Sequence, residues 1–262
     1  MKASTANRSL LWLVGILVAF GLIQVVTGDE SDRRALGSYL VVGLAIGGLI
    51  WLWYRYRVMP RRESFAGQAR ELGLRAESGD PLGLADRPFA LFRWMASMRE
   101  VENTATGQRN GLEVVVTDYW FSPTASTERN DYERYTCVLT PAPADWADLS
   151  VVPERLASRM RDVLALPDIG TESVEFDRRF EIRSTDRRFA SAFVDARMMA
   201  WLLEQLPGMG FEILDGWLMV FRPRVKTSVD DLGRAVDLHA AFLERIPRVV
   251  FPGRPDIEGR PG

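Results

Sequence analysis

The chain predicts an α+β protein built in two parts, an N-terminal transmembrane helical hairpin and a cytoplasmic domain whose mixed, mainly antiparallel sheet packs with three to four helices. Three observations predict this. Two long uncharged apolar runs lie near the N-terminus, at 10–26 and 35–54. Beyond them, strand-like runs meet at Asn110-Gly111 and at Asp215-Gly216, and stretches of helical period lie between and after those runs.

Each apolar run is of spanning size, since at about 1.5 Å per helical residue it comes near the roughly 30 Å of a bilayer core. For the first run a cleaved signal peptide is the rival, because Lys2 and Arg8 precede it. No small-x-small cleavage site follows, however, and the chain continues as "VVTGDESDRR". The sequence therefore predicts an uncleaved anchor. The link "TGDESDRR" is short enough to allow only an antiparallel hairpin, so both ends of it face one side. Lys2 and Arg8 flank the first helix, and Arg55, Arg57, Arg61 and Arg62 crowd the end of the second, while Arg33 and Arg34 in the link stand beside three acids. By the positive-inside rule both termini are cytoplasmic, in a bacterial plasma membrane. The four arginines at 55–62 are candidates for contact with lipid headgroups, and Trp51, Trp53, Tyr54 and Tyr56 fit an interfacial aromatic belt. Gly15 with Ala19, and Gly43 with Gly47, have the small-residue spacing that lets helices approach closely. Self-association through Gly43 and Gly47 is one reading; the plainer one is that glycine is common in membrane helices.

Residues 61–250 are enough for one domain with a substantial core, and 251–262 form a Pro/Gly-rich tail predicted to be disordered. "SFAGQARELG" reads as a helix ended by Gly73, and "PFALFRWMASM" as a buried lead-in to the sheet. Asn110-Gly111 joins two strands because both residues accept positive φ. "YERYTCVLTP" is the next strand, with Cys137 as a small buried residue. "VPERLASRMRDVLAL" has helical spacing with Pro153 at its first position. Over 174–183, Val174, Phe176, Phe180 and Ile182 share one parity, broken by Arg178, and charged residues take the other, which predicts a half-buried strand. Ser184 to Asp186 then caps one helix carrying Phe189, Phe193, Ala196, Met199, Ala200 and Leu203. "GFEILDGWLMVFRP" closes the sheet as a hairpin, and "SVDDLGRAVDLHAAFLERI" is the last helix, with His239 inside it.

Composition excludes several functions. One histidine, His239, and one cysteine, Cys137, cannot make a zinc site, and a single cysteine cannot form an intramolecular disulfide. Only an all-carboxylate metal site stays open in principle; no metal or cofactor is expected. Lysine occurs only at Lys2 and Lys226 among 33 basic residues, so arginine-dense patches are expected from composition alone. The formal charge of −2 gives no global attraction to nucleic acid, which is not an expected partner. No "GxSxG", "GxxxxGK[ST]", "GxGxxG" or "DxDxDG" motif is present. Within the arginine run 178–188, Arg178 on the buried parity and Arg187 and Arg188 in a first helical turn, where they oppose the helix dipole, are the candidate contacts for an anion or a partner. Neighbouring carboxylates such as Asp177 and Asp186 are the structural alternative for them.

The order "NGLEVVVTDYWF", "EFDRRFEIRSTDRRFASAF", "MMAWLLE" and "GWLMVFRP" behind two membrane helices resembles the uncharacterised two-transmembrane-helix membrane protein family of high-GC Gram-positive bacteria with a cytoplasmic domain of unknown function. The resemblance runs from about Phe65 to Phe251 and implies no reaction or catalytic residue. The expectation is a membrane-anchored interaction or regulatory module whose partners are membrane lipids and another protein. The alternative is a membrane-bound enzyme using a carboxylate/arginine site.

Overall fold

The computed structural model describes residues 43–49, 51–52, 59–93, 98–122, 132–160, 166–205, 207–224 and 231–251. They belong to two compact units, Met1–Glu63 and Ser64–Gly262. In the first unit, residues 43–49 and 51–52 are helical, with Leu44 76% exposed, Leu49 66% and Trp51 62%. Gly43 and Gly47 face open space, with nothing within 4 Å of an added Cβ. The run at 10–26, the remainder of 35–54 and the juxtamembrane Arg55 and Arg57 lie outside the described residues, as does Ser228. Among the described residues no helix is long and apolar enough to cross a membrane.

Helix α1, Met59–Glu71, ends where Gly73 takes a φ of 73°, as its position after the helix predicts. Strands β1 (Arg75–Ser78), β2 (Met98–Arg109), β3 (Leu112–Ser122) and β4 (Glu133–Pro141) form a meander, with the short helix α2, Ala90–Arg93, between the first two. Then come β5 (Leu149–Pro153), α3 (Glu154–Met160), α4 (Val174–Asp177), β6 (Phe180–Ser184), α5 (Arg187–Phe193), α6 (Ala196–Glu204), β7 (Gly210–Leu214), β8 (Trp217–Pro223) and α7 (Asp231–Leu243). The sheet order is β1-β2-β3-β4-β8-β7-β5-β6. Every pairing among the described strands is antiparallel, so the mainly antiparallel sheet is found and the parallel part of the expected mixture is not among them. Each sequence-adjacent pair in the sheet can close without a parallel crossover. Both predicted tight turns form, with positive φ at Asn110, Gly111, Asp215 and Gly216.

Three apolar clusters make the core. On one face of the sheet, α1 and the first half of α7 cover Ala105, Val114, Val116 and Val138. The same face continues under α5, α6 and the second half of α7, where Phe193, Met198, Leu202 and Phe242 pack on Val151, Phe211 and Val220. The other face is closed by Phe89, Leu91 and Phe92 with Leu156, over Tyr119, Tyr135, Cys137 and Phe221. Because both faces are covered, β3 and β4 are buried at consecutive positions, and Cys137 is buried as expected.

The stretch 174–204 differs from its predicted form in two places. Ser173 accepts a bond from the Phe176 amide, and Asp177 accepts from both the Thr171 amide and its hydroxyl, so 174–177 closes as a helical turn and the strand starts only at Phe180. Phe176, Phe180 and Ile182 are buried regardless, and Phe176 stacks on Phe180 at 4.8 Å. The expected single helix is two, because Asp195 caps a new one by accepting from the Met198 amide at 2.8 Å. Pro153 ends β5 rather than starting α3. Phe251, the first residue of the expected tail, packs against Trp146, whose indole donates to the Val250 carbonyl.

Candidate functional site

Directly opposite residues of an antiparallel pair share a face. Ala105, Val116, Val138 and Val220 stand abreast across β2, β3, β4 and β8, and this row lies on the face that α1 and α7 cover. Two residues further along each strand the row is polar: Asn103 opposite Asp118, Asp118 opposite Thr136, Thr136 opposite Arg222. All four are buried.

Asp118, fully buried, is held from several sides. Asn103 Nδ2 and Thr136 Oγ1 each donate to it at 3.3 Å, and the Arg224 guanidinium lies 3.3 Å from its Oδ2 and 3.3 Å from Glu102 Oε2. Arg134, next along β4, has its pKa lowered, chiefly by burial, and its Nε has no hydrogen-bond partner among the described residues. Its guanidinium stands 6.0 Å from the Tyr132 ring.

Arg222, in β8, differs from Arg224, which follows the strand directly. It is 7% exposed and makes no hydrogen bond or ion pair with any described residue. Burying a cation without a counter-charge costs on the order of several kcal/mol. Arg222 opens onto a cleft of ≈ 360 Å³ lined also by Gln205, Met209, Arg234, Asp237, Leu238 and Ala241. That size is at the small end of the about 300–1,000 Å³ typical of ligand sites.

A second buried carboxylate lies on the other face. Glu212 of β7 accepts from the amides of Ala90 and Leu91 at 2.8 and 3.3 Å and so caps α2. Burial pushes its pKa up to about 7 against the pull of those two amides. His239 of α7, also buried, has Nε2 without a partner among the described residues, and burial lowers its pKa to about 4. Neither group reaches solvent, and the geometry of Glu212 makes it a structural cap. No group of three or more metal-ligating side chains occurs among the described residues.

The residues singled out in sequence lie elsewhere. Arg178 is exposed at the C-terminal end of α4, not on a buried strand face, because the helical turn at 174–177 displaces the parity. Arg187 and Arg188 are exposed in the first turn of α5, where Asp186 caps the helix by accepting from the Arg188 and Phe189 amides. None of the three guanidinium groups bonds a described residue. Of the other arginines in that run, Arg179 donates to the Leu203 carbonyl at 2.9 Å, and Arg183 bonds Glu181 and the Leu166 carbonyl. Arg61 and Arg62 fall within α1. Asn103, Asp118, Thr136 and Arg222 carry no sequence motif; only strand register brings them together.

No family model matches the chain. No curated protein matches it either. Among solved structures it is similar to the mycobacterial trehalose monomycolate transport factor A, TtfA, at 14% identity and a TM-score of 0.48, covering 71% of this chain and 96% of that one.

Proposed function

We propose that the chain is a membrane-anchored interaction module: the runs 10–26 and 35–54 form a transmembrane hairpin in a bacterial plasma membrane, both termini are cytoplasmic, and the α+β domain meets a protein partner near the inner leaflet. The observation that carries this reading is the pair of helical stretches at 43–49 and 51–52, where Leu44, Ile46, Leu49, Trp51 and Leu52 are all exposed. Exposed apolar side chains of that kind need a cover, and lipid is one that suits a run without charges. Arg55, Arg57, Arg61 and Arg62 follow at once in the sequence, where they would meet anionic headgroups. Open space at Gly43 and Gly47 supports self-association along that helix. The exposed Arg178, Arg187 and Arg188 are offered as contacts for the protein partner.

Reporter fusions at Gly28 and at the C-terminus, with carbonate extraction of the full chain, test the reading. The expected result is a chain that stays with the membrane, a C-terminal reporter active only inside and a Gly28 reporter active only outside. A C-terminal reporter active only outside the membrane, or release by carbonate, refutes it. Affinity purification of the intact chain from membranes then identifies the partner.

A further inference from the structure

The cleft beside Arg222 has a division of chemistry along its length. Arg234, Asp237, Leu238 and Ala241 recur at helical spacing on one face of α7, so they line about 10 Å of it. The end nearer the helix start is charged, and the end toward Ala241 is apolar. Gln205 and Met209 close the side contributed by the segment between α6 and β7. The Gln205 amide nitrogen is already used, since it donates to the Trp201 carbonyl at 3.0 Å. Arg234 and Asp237 are exposed and, like Arg222, pair with no described residue. With two arginines against one aspartate, the lining is net positive.

A buried guanidinium that faces a cleft and has no counter-ion among the described residues is the arrangement an oxyanion completes, because two parallel N–H donors match a carboxylate or phosphoryl group. Met209, Leu238 and Ala241 offer nothing to a fully hydrated ion and suit an apolar substituent instead. We propose that this cleft binds an oxyanion, carboxylate or phosphoryl, carried on an apolar group, with Arg222 and Arg234 on the oxyanion and Met209, Leu238 and Ala241 on the apolar part. Asp237 disfavours a second negative charge and so favours ligands of low charge. The site is independent of how the N-terminal segment is anchored, and its failure would leave that reading untouched.

The test is calorimetric titration of the full chain, in nanodiscs of zwitterionic phosphatidylcholine, with phenyl phosphate, phenylacetate, inorganic phosphate and benzylamine. Phenyl phosphate or phenylacetate should saturate one site, inorganic phosphate should bind about tenfold more weakly, and benzylamine should not compete. Arg222→Met should weaken the aromatic anion by about tenfold to a hundredfold while the melting temperature holds or rises, since the buried charge removed pairs with no described residue. Should that variant fail to fold, Asp237→Asn on the exposed helix face must tighten binding and Arg234→Gln must weaken it. Equal affinity in wild type and Arg222→Met, no binding of either aromatic anion at millimolar concentration, or competition by benzylamine overturns the proposal. Inorganic phosphate binding as tightly as phenyl phosphate overturns the role given to the apolar wall.

Discussion

Glu212 and His239 are buried groups whose titrations oppose each other, and replacing each by glutamine separates them. Burial raises Glu212 from 4.5 to about 7, which at about 1.4 kcal/mol per unit makes its ionisation cost the folded state about 3 kcal/mol. Below pH 4.5 the folded and unfolded chains both carry this proton and stability is undiminished. As pH rises the unfolded chain ionises first, so stability is lost as pH climbs through about 7. His239 has its pKa lowered from 6.5 to about 4, a difference again of about 3 kcal/mol. Above pH 6.5 both states are neutral. As pH falls the unfolded chain takes the proton first, and stability is lost as pH drops through about 4.

Between about pH 4.5 and 6.5 the two slopes cancel, so the wild-type chain should be nearly level there. Glu212→Gln keeps an amide oxygen for the Ala90 or Leu91 N–H and leaves the histidine alone, so its stability should fall by about 3 kcal/mol from pH 6.5 to 4. His239→Gln should do the reverse, falling by a similar amount from pH 4.5 to 7. Urea midpoints measured across this range on a fragment beginning at Met59 check both, and carboxylates common to all three chains cancel in the differences between profiles. Parallel profiles for wild type and both variants would refute the reasoning.

Other expectations concern packing and charge. Phe180→Ala, removing a ring stacked on Phe176, should cost about 3 to 5 kcal/mol by urea unfolding, and Arg179→Ala, losing one surface bond to the Leu203 carbonyl, about 1 kcal/mol; equal losses would show that the core is not built on this strand. Asp118→Asn should cost about 3 to 5 kcal/mol because it leaves Arg224 facing only Glu102, whereas Glu102→Gln, at a more exposed position, should cost less; the reverse order in denaturation midpoints refutes the assignment. Gly210→Ala places a Cβ 2.6 Å from Phe221 Cζ and 2.7 Å from the Val151 carbonyl oxygen, so a loss of about 1 to 3 kcal/mol is expected, and an unchanged melting temperature would contradict it. A soluble fragment from Arg55 should bind anionic vesicles at low salt and release at high salt, each arginine near the surface contributing about 1 kcal/mol; equal binding after Arg55, Arg57, Arg61 and Arg62 all become glutamine would move the contact to Arg187 and Arg188.

What the sequence shows of this fold is what local chemistry decides. The turns at Asn110-Gly111 and Asp215-Gly216 are legible because positive φ is a property of those residues, and the end of α1 at Gly73 is legible for the same reason. Caps decide more than parity does. Ser173 and Asp195, each accepting an amide three residues on, turn an apparent strand into a helical turn and break an apparent helix in two. Both residues were open to reading as caps, but the apolar spacing around Phe176 and Phe193 fits the competing pattern equally well. Sheet order lies beyond such signals, because the β4 and β8 pairing joins segments far apart in the chain and no single turn encodes it.

The contrast between Arg222 and Arg224 shows why the candidate site is of this second kind. The two arginines stand in the same "FRPR" stretch, two residues apart, and nothing in their sequence neighbours distinguishes them. Arg224 reaches two carboxylates, Asp118 from β3 and Glu102 from β2, and its burial is explained by them. Arg222 is beside Thr136, a hydroxyl that carries no charge, and on its other side is the cleft under α7. A buried cation that pairs with no described residue carries a desolvation cost that an anion in the cleft would offset. The anion proposed for the cleft would supply that counter-charge, whereas the arginines at 178, 187 and 188 are exposed and carry no such cost.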